Sequence, residues 1–359
     1  STPDSHDASS LLLTRNRKSI VTRWNQDRGL AVLGLTLVAT YSLAHALRSD
    51  THRGPTRNHV SVQSDRSQFA VSGMESLSGR SVSASDRDDL GTTCRRRAAA
   101  WRSQLGDNVR VVISPPFVLV GFESRDALDR IASETLQPAA RDMILRFGWP
   151  EPNQPISLLL LPDEPTYRRI ARHVFDVEPG SIFGFYWPSE RTIVANLAAG
   201  DGTILHEVTH ALLDFEPWTV PTWFHEGLAS SHEESSLSWT NGRASLRPRD
   251  NWRLPFVTQA LREDSLPSIQ ELLTTSPFRG NSEAVDYATA RYLCIFLHEH
   301  ELLAKFYKQW RGARESDPTG WATLQDVWSI DHANNIDLAF HAWVLSPVRQ
   351  QRSLAAHSE

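Results

Sequence analysis

The sequence predicts an α+β domain, and three observations carry that expectation. Short apolar runs bounded by Pro and Gly crowd the stretch from 109 to 196, and helical periodicity dominates after 234. Between them stands an apolar helical stretch interrupted by three ionisable residues in the spacing H-E-x-x-H. The expected organisation is a polar basic N-terminus at 1–28, a membrane segment at 29–47, a linker at 48–92, the folded domain at 93–348 and a tail at 349–359.

Residues 1–28 are polar and carry Arg15, Arg17, Lys18, Arg23 and Arg28. From Gly29 to Leu47 the chain is almost unbroken apolar, including Leu30, Val32, Leu33, Leu35, Leu37 and Val38. Nineteen or so residues at ~1.5 Å each span about 28 Å, close to the hydrocarbon thickness of a bilayer. The expectation is a transmembrane signal anchor, with the basic end cytoplasmic and the domain extracytoplasmic. Ala44-His45-Ala46 also has the small-residue character of a cleavage site, in which case the segment is a signal peptide and the domain is secreted. Residues 48–92 are rich in Ser, Arg and Asp and hold too few large apolar residues to order themselves, which predicts a flexible tether.

Composition bounds the rest. The 359 residues are 40% hydrophobic and 22% charged, an ordinary globular balance. A net charge of −5 makes no case for a nucleic-acid partner. Twelve Trp residues, several in the later helices, point to a large aromatic core. The chain's two cysteines, Cys94 and Cys294, fit either redox compartment, and their pairing stays open.

Residues 109–114 and 117–121 read as strands joined at Pro115-Pro116, followed by an amphipathic helix over 124–147 with Ala127, Leu128, Ile131, Leu136, Ala139, Met143, Ile144 and Phe147 on one stripe. Ile156 to Leu161 is fully apolar and reads as a central strand, and 164–174 as a helix. Residues 183–187 and 191–196 form an expected hairpin around Pro188-Ser189-Glu190. Asp201 then offers an N-cap to the H-E-x-x-H helix. Further helices are expected at 266–273, where Pro267 marks the start, at 286–300 and at 331–345.

Within 203–212, positions four apart on a helix share a face, so His206 and His210 can present two imidazoles to one metal ion. Glu207 is rotated roughly 100° from His206 and can accept a proton from water at that metal. An H-E-x-x-H pattern arises by chance in roughly one chain in a hundred of this length, so it needs support. The apolar flanks Ile204, Leu205, Val208, Ala211 and Leu212 supply some, because three polar groups on such a helix need a shared purpose. More comes from Pro221-Thr222-Trp223-Phe224-His225-Glu226-Gly227-Leu228-Ala229. A catalytic zinc needs a third protein ligand, and a turn between two helices can bring Glu226 back to the histidine pair. Asp214, one turn beyond His210, is the competing ligand or a group that orients His210. His225 falls on the wrong helical face and reads as a rim residue.

H-E-x-x-H followed by W-F-H-E-G-L-A resembles the gluzincin metallopeptidases, and most of all the peptidase MA-like proteins. The resemblance covers roughly Val109 to Val348. It implies a zincin-like fold in which His206, His210 and Glu226 are zinc ligands, Glu207 is the catalytic base and the substrate is a peptide or protein. It also implies that 191–196 is an edge strand that receives substrate backbone. Asp286-Tyr287-Ala288-Thr289-Ala290 resembles the family's Y-A-x-A segment, which makes Tyr287 the first candidate oxyanion donor and Tyr292 the second. Two departures stand out. No G-x-M-E-N segment is present, so amino-terminal trimming is unsupported, and Ser230 stands where thermolysin-like enzymes place an Asp, so another group must orient His206. His298-Glu299-His300-Glu301 reads as a solvated helix end, since neighbours two apart point to different faces. The alternative function is a membrane-tethered, non-catalytic zinc-binding or assembly module, which would have no need of Glu207.

Overall fold

The structure, a computed structural model, describes residues 84–349 apart from 201, 276–277, 279 and 330–334. The segments 1–28 and 29–47, the tether up to 83, the N-cap at Asp201 and the tail after Arg349 lie outside the described residues. Among the described residues, no helix is long and apolar enough to cross a membrane.

Helix α1 (Ala84–Leu105) begins ahead of the expected boundary at 93, and Cys94, Ala98 and Trp101 form its buried stripe at helical spacing. Strands β1 (Arg110–Ser114) and β2 (Phe117–Gly121) pair antiparallel around the cis Pro115–Pro116 bond. Helix α2 (Arg125–Arg130), a wider turn at Ile131–Leu136 and α3 (Gln137–Phe147) together make the helix expected over 124–147. Ser124 caps it by accepting the Ala127 amide at 3.2 Å, and Gly148, at φ 69°, ends it in the left-handed conformation that glycine adopts cheaply. Strand β3 (Ile156–Leu161) and helix α4 (Glu164–Phe175) follow, then β4 (Gly184–Trp187) and β5 (Thr192–Asn196). Helices α5 (Gly202–Leu213) and α6 (Thr222–His232) carry the two sequence motifs.

The five strands form one mixed sheet in the order β1-β2-β3-β5-β4. β2, β3 and β5 run parallel, and β1 and β4 flank them antiparallel. β3 is central and buried on both faces, which is why it reads as a continuous apolar run. Its residues alternate between two cores. Leu159 and Leu161 join Val118, Val120, Cys94, Trp101 and Tyr167 under α1 and α4, while Leu158 and Leu160 face the larger core that holds α3, α5 and α6. Cys94 and Cys294 are both free and both buried, one in each core.

One expectation fails here. Strand β5 is not an edge: it pairs with β3 on one side and β4 on the other. The chain passes through β4 first and then inserts β5 between it and β3, so the outermost strand on that side is 184–187. Gly184 permits this close packing, since a Cβ there would lie 2.8 Å from the Val194 carbonyl oxygen.

The C-terminal part is mostly helical, as expected, but opens with a hairpin, β6 (Ser236–Thr240) and β7 (Arg243–Arg247). Asn241 and Gly242 both have positive φ, the conformation a two-residue hairpin turn requires. Helices α7 (Leu254–Arg262), α8 (Ile269–Thr274), α9 (Glu283–Glu299), α10 (Leu303–Ala313), α11 (Trp321–Ser329) and α12 (Ile336–Val344) complete the fold. α8 starts two residues after Pro267, because Ser268 and Glu271 make a capping box. Arg349, expected in the tail, is buried and paired with Asp250 and Glu299.

Candidate metal centre

Helix α5 is apolar enough to be buried almost throughout, and its two histidines, one turn apart, face α6. The chain then turns through 214–221, where the buried Glu216 carboxylate is tied to Arg311 of α10 at 3.0 Å. Pro221 leads into α6. Trp223 and Phe224 anchor that helix in an aromatic cluster with Phe306, Tyr307 and Trp310 of α10, and the Trp223 indole donates to the Thr319 carbonyl at 3.0 Å. Gly227 lets α6 lie directly on α9, where a Cβ would come 2.6 Å from the Ala290 carbonyl oxygen. These constraints aim the next face of α6, with Glu226, back at α5.

His206, His210 and Glu226 converge, with one ligand atom of each inside a sphere of mutual separations no greater than 4.8 Å. The two Nε2 atoms lie 3.0 Å apart, and Glu226 Oε2 is 3.7 Å from His206 Nε2 and 3.8 Å from His210 Nε2. The point equidistant from these three atoms is about 2 Å from each, which matches zinc–nitrogen and zinc–oxygen bond lengths of about 2.0–2.2 Å. The residues therefore fit a metal ion. Among the described residues this is the group of His, Cys, Asp and Glu side chains arranged to hold one.

Charge points the same way. Burial alone would raise the Glu226 carboxyl, but His210, His225 and His206 hold it down at about 2. Burial opposes charge on His206 too, yet contact with Glu233, followed by the fields of Glu207 and Glu226, raises that imidazole to about 9. A place that attracts a proton so strongly also attracts a divalent cation in its stead. His210 is held well below its usual value by burial first and by the neighbouring His225 second, which favours the neutral imidazole that a metal ligand must be. Glu207 is buried beside the pair. Its carboxyl is pushed up to about 7, chiefly by burial, with His206 and the Tyr186 backbone amide pulling the other way and Glu226 and Glu233 adding to the rise.

The group that orients His206 was not legible in the sequence. Glu233 Oε1 lies 2.9 Å from His206 Nδ1, which leaves Nε2 turned toward His210 and Glu226. Glu233 is in turn contacted by Arg253, by Asn251 at 3.4 Å and by the fully buried Arg291 at 3.9 Å. Burial alone would raise its carboxyl, but the contact with His206 first, and then the fields of Arg253 and Arg291, hold it at about 2. The one available signal was its place seven residues, or two helical turns, after Glu226. Ser230, at the position noted as a departure, is buried with its hydroxyl unpaired.

Other candidates separate clearly. Asp214 accepts from the Tyr186 hydroxyl at 3.1 Å and stands outside the three-residue group. Tyr292 is fully buried; its hydroxyl accepts the Asn251 amide at 3.2 Å and donates its proton to the Asn251 carbonyl at 3.4 Å, which commits that proton within the core. Tyr287 packs edge-on against Phe278 at 5.3 Å, and its phenol is raised by burial first and then by the field of Glu226. His225 keeps 37% of its side chain exposed but is not on the wrong helical face: its ring lies over that of His210, with centroids 4.2 Å apart, and its Nδ1 is 3.5 Å from Glu226. The stretch 298–301 is less solvated than its composition suggests, because His298 is partly buried and contacts Arg146 at 2.9 Å. No protein-family model matches the chain, and no curated protein matches it.

Proposed function

We propose that the chain is a zinc-dependent metallopeptidase. The observation that carries this reading is the convergence of His206, His210 and Glu226 on one point, with Glu207 buried alongside. A zinc ion held there supplies Lewis acidity, lowering the pKa of water towards neutrality and polarising a substrate carbonyl. Glu207 takes the proton of the attacking water and hands it to the leaving amine, and a carboxyl displaced towards neutral pH is suited to both steps. Glu233 keeps His206 in the tautomer whose Nε2 can bind metal. Tyr287 is the candidate hydrogen-bond donor to the developing oxyanion. The apolar stretch 29–47 would hold the domain at a membrane with the centre outside the cytoplasm.

Measuring metal content and peptide hydrolysis on one preparation tests this. The purified protein should hold one zinc per chain and cleave members of a broad peptide library. Glu207→Gln should keep the zinc and lose the rate by a factor of roughly 10²–10⁴, the usual share of a general base. Full zinc occupancy with no cleavage anywhere in the library would favour the non-catalytic module instead.

A further inference from the structure

Glu226 has two carboxylate oxygens, and they face different partners. Oε2 is the one that lies 3.7 and 3.8 Å from the histidine Nε2 atoms. Oε1 faces His225 Nδ1 at 3.5 Å, at the outer limit of a hydrogen bond. Adjacent residues on a helix point roughly 100° apart, so this contact is not a default of the backbone. It depends on the His225 ring lying over the His210 ring, with centroids 4.2 Å apart and planes within 19°. In that pose Nδ1 faces Glu226 while 37% of the side chain stays exposed at the rim.

The division matters because a carboxylate can bind a metal through one oxygen or both. Binding through both would fill the place a catalytic site must leave open for water. A donor on Oε1 occupies the lone pair that would otherwise swing in, and it fixes the rotation of the carboxylate about its last bond. We infer that His225 is a positioning residue that holds Glu226 as a one-oxygen ligand and so keeps a coordination place open. The inference rests on the metal-site reading above and adds to it a role for a residue that ligates nothing. It requires the His225 proton on Nδ1, with Nε2 directed to solvent.

Two substitutions separate the stack from the donor. His225→Phe keeps a flat ring over His210 and removes the donor. His225→Asn removes the ring and keeps an N–H close to where Nδ1 stands. The full chain would be loaded with cobalt(II) in place of zinc, and its visible spectrum, metal affinity and thermal unfolding measured for native protein and both variants. We expect the native and Asn spectra to agree in shape and intensity. The Phe variant should lose roughly half its visible absorption as coordination rises above four, with its unfolding temperature unchanged. A metal-loaded Phe variant with the native spectrum would overturn the inference alone, and so would equal changes in both variants. Should the Phe variant fail to fold, the Asn variant decides: a native-like spectrum supports the donor role and a changed one refutes it. Failure of the native chain to bind zinc or cobalt would overturn the proposed function together with this inference.

Discussion

His206-Glu207-x-x-His210 and His298-Glu299-His300-Glu301 have nearly the same composition, and each rides on a largely buried helix, α5 and α9. In the first, a spacing of four puts both imidazoles on one face, and α6 returns a carboxylate to them. In the second, spacings of one and two scatter the groups. His298 goes to Arg146, Glu299 takes the Trp343 indole and Arg349 at 2.8 Å each, and His300 Nδ1 turns back to the Phe296 carbonyl at 2.8 Å. One stretch gathers a group that could hold a metal ion and the other ties three elements together. The difference lies in helical geometry and in whether a neighbouring element answers, not in the kinds of residue present.

The largest effect should come from the ligands themselves. Replacing His206 and His210 together with Ala should reduce bound zinc from one per chain to none by elemental analysis. His298→Ala with His300→Ala should leave it at one, and equal loss in both double variants would erase the contrast. Next in size is Gly227→Ala, which forces a methyl into the Ala290 carbonyl where α6 meets α9. Overpacking of this kind costs about 1–3 kcal/mol, and denaturant unfolding should show it together with weakened metal binding as Glu226 is displaced. Glu233→Ala should lower metal affinity by roughly 10–100-fold, the range found when a group orienting a ligating histidine is lost. Competition with a chelator of known affinity reads that directly.

The smallest effect belongs to the second stretch and to acid. His298 is held at about 4, by burial first and then by the Arg146 guanidinium. The unfolded chain would protonate it at about 6.5. Between those values the unfolded state binds more protons, so this contribution is full above pH 6.5 and is lost as pH falls towards 4. With its partial exposure discounted, the change is on the order of 1–2 kcal/mol. His298→Gln should flatten the fall in unfolding temperature across that window. A variant with the native pH profile would show that the Arg146 contact does not matter to stability.

What could be read in the chain follows the range of the interaction involved. The H-E-x-x-H face and the stripe from Ala127 to Phe147 are local periodicities, and the structure has both. The edge was misplaced because strand order in space is not strand order in sequence, and nothing in 183–196 says which strand meets β3. Glu233 went unseen for a similar reason, since its meaning depends on Arg253 arriving from the chain ahead of α7 and Arg291 from α9. The β6–β7 hairpin is a different failure. Asn241-Gly242 between alternating Leu237, Trp239, Ala244 and Leu246 was a sufficient signal, overlooked in a stretch read as helical.

The sheet also divides the protein's two thiols. Burial raises the Cys94 thiol to about 11 and pushes Cys294 higher still, so neither reacts at neutral pH while its own side stays shut. A thiol reagent applied to the native protein therefore measures opening rather than sulfur chemistry. Because one thiol lies beneath α1 and the other within α9, the two labelling rates time separate events. If the smaller layer peels away by itself, Cys94 is modified first and Cys294 waits. If the domain opens all at once, the two clocks agree.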